Sequence, residues 1–332
     1  MHYPTWKTLD LPPGTFTWAV GERAAYLGAM VPSYARAAEG LAYLTAITIS
    51  PSELTFCTEG IGTAYQLPER LPMAPVPPSD VVYVETDAVM LHFRDATPWH
   101  EEKVFCTWHE TAGMISPPRY WTADGPWDSH LAALETLTAW EGLAHASTIV
   151  CLGEGSHPLW NLLTALVPHA LQLVDWYHVQ EHLATVAAQL PDGKDWHKTQ
   201  RDRLKLSQSR QVMRDVLEVA RSGATEARRE AARKCLSYLW YHRTRLDYAL
   251  AMARGYPIGS GRIESACKLV VQQRCKGPGM RWGHPQADAV LHARCAWLNE
   301  DWARACQLWR MTVAFAPPLT AAAERITDTR AA

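Results

Sequence analysis

From Val179 to about Arg254 the sequence contains no strand-forming run; Arg, Lys, Ala and Leu dominate it throughout. Such residues lose little freedom on entering a helix, so this long segment reads as all-helical. Every strand-forming segment lies before it. Val81–Val84, Ala88–Phe93 and Glu102–Trp108 read as three antiparallel strands with short connections. Ser147–Leu152 and Ala170–Val174 read as short buried strands, with a helix at Ser129–His145 before them and another at His157–Leu166 between them. After the helical segment comes Gly255-Tyr-Pro-Ile-Gly-Ser-Gly-Arg-Ile-Glu264-Ser-Ala-Cys-Lys268. A Gly/Pro/Ser turn there feeds a helix with Ile263, Ala266, Val270 and Val271 on one face, ended by Gly277-Pro278-Gly279. Glu264 falls in its first turn, where the helix dipole favours a carboxylate by roughly 0.3–1 kcal/mol. Taken alone, it is as readily a dipole partner as a functional acid.

The order is three strands, helix, strand, helix, strand, insertion, helix. That order suits an α/β chain with a mixed sheet: an RNase H-like core interrupted by an all-helical insertion. Upstream, Leu67 to Asp80 is proline-rich and marks a linker. Before it the chain reads as helical, with a third helix over Glu53–Tyr65 capped by Ser50 and opened by Pro51. The short helices resemble a helix-turn-helix, and equally a plain helical hairpin. The expected division is 1–66 as the helical N-terminal module, 67–80 as linker, 81–178 as the first part of the core and 179–254 as insertion. Residues 255–315 would hold the final core helix and the C-terminal helices, with Trp297, Trp302 and Trp309 on a packed face. Residues 1–15 read as an irregular arm and 316–332 as a disordered tail.

Three acids sit at matching places in this order. Asp87 closes the first strand, Glu154 lies just past the fourth and Glu264 rides the helix after the insertion. Sites in α/β sheets form at strand ends, where loops gather polar groups without opening the core. Clustered carboxylates repel one another without a cation. Two divalent ions held by hard oxygen ligands, Mg²⁺ or Mn²⁺, could activate a water or 3′-hydroxyl at a phosphodiester. Charge points the same way. The net charge is −2, yet residues 1–191 hold 7 Lys/Arg against 20 Asp/Glu while residues 192–332 hold 25 against 14. An acidic half that binds metal and a basic half that meets a polyanion fit this asymmetry, as does a solvated basic face. The 8 cysteines are scattered without a Cys-x-x-Cys pair, so free thiols are expected. No long apolar run and no signal-like start are present, so a cytoplasmic protein without membrane contact is expected.

Several motifs carry a resemblance. The Asp87 strand, Trp99-x-Glu101-x-Lys103, Leu152-Gly-Glu-Gly-Ser-x-x-Leu-Trp160, Val174-Asp-Trp-Tyr-His-Val-Gln-Glu-His182, Gly259-Ser-Gly-Arg-Ile-Glu-Ser265 and Lys276-Gly-Pro-Gly-Met-Arg-Trp282 look like those of DDE transposases from bacterial insertion sequences. They are similar to the ISKra group, related to the Mutator-like superfamily, over roughly residues 15–310. The resemblance implies Asp87, Glu154 and Glu264 as the catalytic, metal-holding triad for two Mg²⁺ or Mn²⁺ ions. Asp175 and His178 match an accessory Asp-x-x-His signature. It also implies metal-dependent cleavage of double-stranded DNA at transposon ends, strand transfer to target DNA, and a homo-oligomer on DNA. Arg262, Lys268, Arg274, Lys276 and Arg281 are then DNA-backbone candidates, and Trp282 could stack on an extruded base. His178 could orient the site or make structural hydrogen bonds. The family pattern has Gly-Asp-Gly-Ala where this chain has Gly153-Glu-Gly-Ser156, has Gly where Ala88 stands, and often has a longer cysteine-rich N-terminal region. These departures leave a second reading open: a catalytically impaired, truncated relative that binds DNA without cutting it.

Overall fold

Val81 opens a strand of 12 residues, β1 (Val81–His92), with no turn inside it. Two strands were expected over this stretch, because Glu85-Thr86-Asp87 reads as a polar break. Instead all three residues stay in the ladder with the next strand, Glu85 opposite Cys106, Thr86 opposite Phe105 and Asp87 opposite Val104. Glu85 and Thr86 are fully buried. The break fails to form because a helix packs over these residues and gives Glu85 a backbone hydrogen bond. The computed structural model describes residues 16–65 and 79–315; the expected arm, most of the linker and the expected tail lie outside the described residues.

The antiparallel partner of β1 is β2 (Trp99–Thr111), followed by β3 (Met114–Ile115) and β4 (Arg119–Ala123), both paired to β2. The third antiparallel strand is therefore β4, which the sequence pattern did not mark. A 3₁₀ turn at Trp127–His130 and helix α4 (Leu131–Ala139) lead to β5 (Thr148–Gly153), parallel to β1. Helix α5 (His157–Leu166) then leads to β6 (Leu171–Val174), parallel to β5. The result is a mixed α/β arrangement around a six-stranded sheet ordered β3-β2-β1-β5-β6, with β4 also on β2. Its core is apolar and dry: Val82, Val84, Val104, Val150, Leu152, Leu163 and Leu173 are all inaccessible.

The segment after β6 is helical, as its composition requires: α6 (Trp176–Ala187), α7 (Gly193–Lys205), α8 (Ser209–Ser222), α9 (Glu226–Tyr241) and α10 (Tyr248–Ala253). The Glu264 helix opens as α11 (Gly261–Ala266), continues through a π-helical stretch, Cys267–Gln272, and closes at Gln273–Cys275. Ile263, Ala266, Val270 and Val271 are all buried, as their spacing requires.

The chain divides into two compact units, Leu67–Trp282 and the combination of Met1–Gln66 with Gly283–Ala332. The second contains α1 (Trp18–Met30), α2 (Tyr34–Thr45), α3 (Pro51–Ala64), α12 (His284–Leu298) and α13 (Trp302–Phe315). The C-terminal helices, grouped in the expected division with the final core helix, thus belong with the N-terminal ones. The buried Arg294 of α12 donates to the Ala29 carbonyl at 2.8 Å, and Trp309 of α13 meets Trp18 edge-on at 5.0 Å. These contacts join ends of the chain that no local pattern connects.

All 8 cysteines are free and buried. No helix among the described residues is long and apolar enough to cross a membrane. At the start of α3, Ser50 and Glu53 form a reciprocal capping box, with the Ser50 hydroxyl accepting from Glu53 N–H and Glu53 accepting from Ser50 N–H. Replacing Ser50→Ala is expected to lower stability by about 1 kcal/mol in urea melts, while Ser50→Asp keeps most of it.

Candidate active site

The parallel register builds a row of acids. Thr86 pairs with Gly153, and Gly153 with Val174. In each strand the next residue is acidic: Asp87, Glu154 and Asp175. The three lie at one level across β1, β5 and β6, at the carboxyl ends of β5 and β6. The sequence order could place Asp87 and Glu154 at strand ends; only the register aligns them.

Asp175 is committed to the backbone. It is buried, and its two oxygens accept from His178 N–H and from Ser260 N–H, each at 2.6 Å. The first bond caps α6. The second holds the Gly259-Ser260-Gly261 turn, which approaches so closely that a Cβ on Gly259 would stand 2.7 Å from the Tyr177 ring. Glu85 completes the attachment. Its Oε2 accepts from Ile263 N–H, in the first turn of α11, at 2.7 Å. That donor would otherwise be an orphan of the helix start, since the Ser260 side chain makes no capping bond. The other oxygen, Oε1, is buried without a hydrogen bond. Two carboxylates of the sheet unit thus fix where the helix begins, and Glu264 follows one residue later on its exposed side.

The charges of the site act on one another. Burial pushes the Glu85 carboxyl up to about 8; Ile263 N–H and Arg262 oppose the shift, and the negative charges of Asp175 and Glu264 add to it. Asp87 is raised by burial first and then by the charges of Glu264 and Glu101, against hydrogen bonds from Ala88 N–H and the Cys267 thiol. Glu154 is raised by burial and by Asp87, Asp175 and Glu264, with His178 pulling the other way. Glu264 therefore acts on Glu85, Asp87 and Glu154 alike. A divalent cation would relieve this repulsion and an all-oxygen donor set suits Mg²⁺ or Mn²⁺, but the carboxylate oxygens of Asp87, Glu154 and Glu264 do not all come within 4.8 Å of one another.

The remaining candidates separate. His178 is half-buried, its Nδ1 3.7 Å from Glu181 and its ring against His182 and Tyr238. The Arg262 guanidinium lies over the Trp108 ring at 4.6 Å. Lys268, Lys276 and Arg281 are exposed. Arg274 is not a DNA-facing residue: it is 1% exposed, because it lies on the inner side of its helix with its guanidinium over Trp282 at 5.4 Å. Trp282 is likewise committed. Its ring carries Arg274, its indole N–H donates to the Cys275 carbonyl at 3.0 Å, and its backbone bridges to Phe93. Sequence reasoning missed Glu85. The available signal was its spacing of two from Asp87, which puts both on one face of a strand.

Neither a protein-family model nor a curated protein matches the chain. Among solved structures, it is similar to the one titled "Crystal structure of NurA with manganese", at 12% identity and a TM-score of 0.14, over 75% of this chain and 59% of that one. The chain thus spans less than two thirds of that NurA chain, and a likeness this slight defines neither fold nor activity.

Glu85 makes stability depend on pH. With metal chelated, the folded chain keeps its proton up to about 8, whereas the unfolded chain releases it near 4.5. Between those values the folded state binds more protons, so stability falls as pH rises. Urea midpoints in EDTA are expected to drop from about pH 5 to about pH 8. Glu85→Gln keeps an acceptor for Ile263 N–H and should flatten that slope; an unchanged slope in the variant removes Glu85 as its cause.

Proposed function

We propose that this chain is an insertion-sequence transposase of the DDE type, with an RNase H-like core, which cuts double-stranded DNA at transposon ends and joins the freed 3′-hydroxyl to target DNA. The observation that carries the reading is the alignment of Asp87 and Glu154 on neighbouring parallel strands, with Glu264 held nearby on a helix that Glu85 and Asp175 anchor. The sheet supports it: antiparallel strands lie on one side of β1 and parallel strands on the other, and a helical insertion precedes the third acid.

Asp87, Glu154 and Glu264 would hold two Mg²⁺ or Mn²⁺ ions. Bound there, the metals would supply charge stabilisation at the scissile phosphate and a more acidic attacking hydroxyl. The chain's own residues do the rest. Asp175 and Glu85 act as positioning residues, because their oxygens fix backbone rather than face solvent. Lys268, Lys276 and Arg281 are exposed along and after the Glu264 helix, where they can meet DNA phosphates. A homo-oligomer on DNA and a cytoplasmic location belong to the same reading.

One observation favours the rival, a DNA-binding protein that does not cut. The second acid is Glu154, one methylene longer than Asp, and a misplacement on the order of 1 Å can cost about a hundredfold in rate. Nicking of end-sequence DNA in Mn²⁺ or Mg²⁺ separates the two. For the transposase, Asp87→Asn and Glu264→Gln should each reduce nicking to background with DNA binding retained; full activity in either variant overturns the assignment. Glu154→Asp is expected to raise cleavage by up to about a hundredfold if the longer acid is misplaced. Cleavage by the unmodified chain eliminates the rival.

A further inference from the structure

Helices α8 and α9 enclose a trough of about 840 Å³ on the side of the insertion away from the acid row. Its floor is apolar, from Met213, Leu217, Leu236 and Trp240. Trp240 is 61% exposed, a large apolar area left open to solvent. Arg210 and Arg214 stand on the α8 wall and Arg243 just beyond the end of α9. Arg233 on α9 is neutralised by Glu226 and Glu230, but Arg210, Arg214 and Arg243 make no ion pair among the described residues. Arg243 lies over the Trp240 ring at 4.9 Å and donates to the Trp240 carbonyl at 2.9 Å, so one face of the indole is backed by a cation. Hydroxyls of Ser209, Ser237 and Thr244 complete the lining.

The placement of α9 relates this trough to the candidate site. Leu236 and Trp240 are four residues apart and share a face. Tyr238 and His242 are offset from them by two positions, about 200° around the axis, and so lie on the opposite side. On that side they press against the loop that carries Glu154: a Cβ on Gly155 would be 2.8 Å from Tyr238 Cε2 and 3.3 Å from His242 Nε2. The trough and the Glu154 loop are therefore separated by one helix, a width of about 10–12 Å.

We infer that the trough binds unpaired DNA nucleotides, with a base stacked on Trp240 against the Met213, Leu217 and Leu236 walls and flanking phosphates on Arg210, Arg214 and Arg243. A duplex keeps its bases stacked inside and has nothing to offer an apolar floor, so the strand in the trough is unpaired. An acidic peptide helix would satisfy the arginines, but it would leave the flat, cation-backed indole face and the hydroxyls without their match. Stacking on an aromatic combined with a positively charged track is the general solution for single strands, and it tolerates any base. A strand passing round a helix of this width follows about half its circumference, roughly 16–19 Å, or about five nucleotides at roughly 3.4 Å per stacked step. One strand can therefore occupy the trough and reach the Glu154 loop. The inference rests on the transposase reading only in naming DNA and in having that strand reach the acid row.

The test is fluorescence anisotropy with the full chain and a labelled twelve-residue oligothymidylate. Comparison probes are the same oligomer with abasic sites, a duplex of equal length, an oligouridylate and an acidic amphipathic peptide. Trp240→Ala is expected to weaken oligothymidylate binding about tenfold or more, and Trp240→Phe much less. The abasic oligomer should bind the unmodified chain weakly and lose its sensitivity to Trp240→Ala. Arg210→Ala with Arg214→Ala should reduce the slope of log affinity against log salt by about 1.4. Three results overturn the inference: unchanged binding in Trp240→Ala, equal affinity for the abasic oligomer, or competition by the acidic peptide or oligouridylate in preference to oligothymidylate. Nicking is a separate readout. A chain that binds single strands in this way yet never cuts leaves the trough assigned and removes the transposase reading.

Discussion

The Glu85 carboxylate and the Ile263 N–H meet across 178 residues of sequence, and the position of the Glu264 helix depends on that meeting. A carboxyl group buried in a sheet is costly unless something answers it. A helix start has N–H groups without intrahelical partners, so each need meets the other, and a hydrogen bond to the protonated side chain contributes about 0.5–1.5 kcal/mol. Removing either member would leave a buried polar group unmatched, which makes the arrangement stiff rather than merely favourable. The pKa of Glu85, raised to about 8, records the remaining strain of burial.

Asp175 does a related job at a different place. One oxygen caps the first helix after β6, and the other holds the turn that leads into the Glu264 helix. A single side chain therefore fixes both ends of the helical segment between β6 and the Glu264 helix. Once the ends are fixed, the length between them matters little, because the entropy of closing a loop grows only as the logarithm of its length. That is why a mixed sheet can tolerate so long an interruption before its last helix. The same attachment explains Gly259 in the return turn, where a Cβ would run into Tyr177, while Ser260 contributes its backbone N–H.

What could be read from the sequence follows from whether the cause was local. The helicity of residues 179–254, the Ser50 cap and the inner face of the Glu264 helix depend on neighbours within a turn or two, and all were legible. Glu154 and Asp175 were visible as acids at strand ends, Asp87 was expected at one but lies within β1, and the alignment of the three belongs to strand register, which is a tertiary fact. The continuity of β1 through Glu85-Thr86-Asp87 was hidden for the same reason: the group that makes those polar residues tolerable arrives from Ile263. Arg274 misled because a cation near acids suggests phosphate, whereas burial over Trp282 is decided by which side of the helix faces inward. The C-terminal helices misled because nothing in their sequence names Ala29 or Trp18 as neighbours.

Under the proposed transposase reading, Glu154 is the point at which this architecture bears hardest on chemistry. Its backbone has little room to retreat. On one side the Asp175 N–H donates to the Gly153 carbonyl at 3.0 Å; on the other, Tyr238 and His242 close over Gly155. A loop held from both sides cannot back away by a bond length to make room for an extra methylene. The longer acid must take up the difference in its own torsions, within the field of Asp87, Asp175, Glu264 and His178. Glutamate has the additional rotatable bond to do so, at a cost in side-chain entropy rather than in backbone strain. Whether the carboxylate reaches the level of Asp87 is thus a question of rotamer, and the insertion that packs on Gly155 has a direct part in answering it.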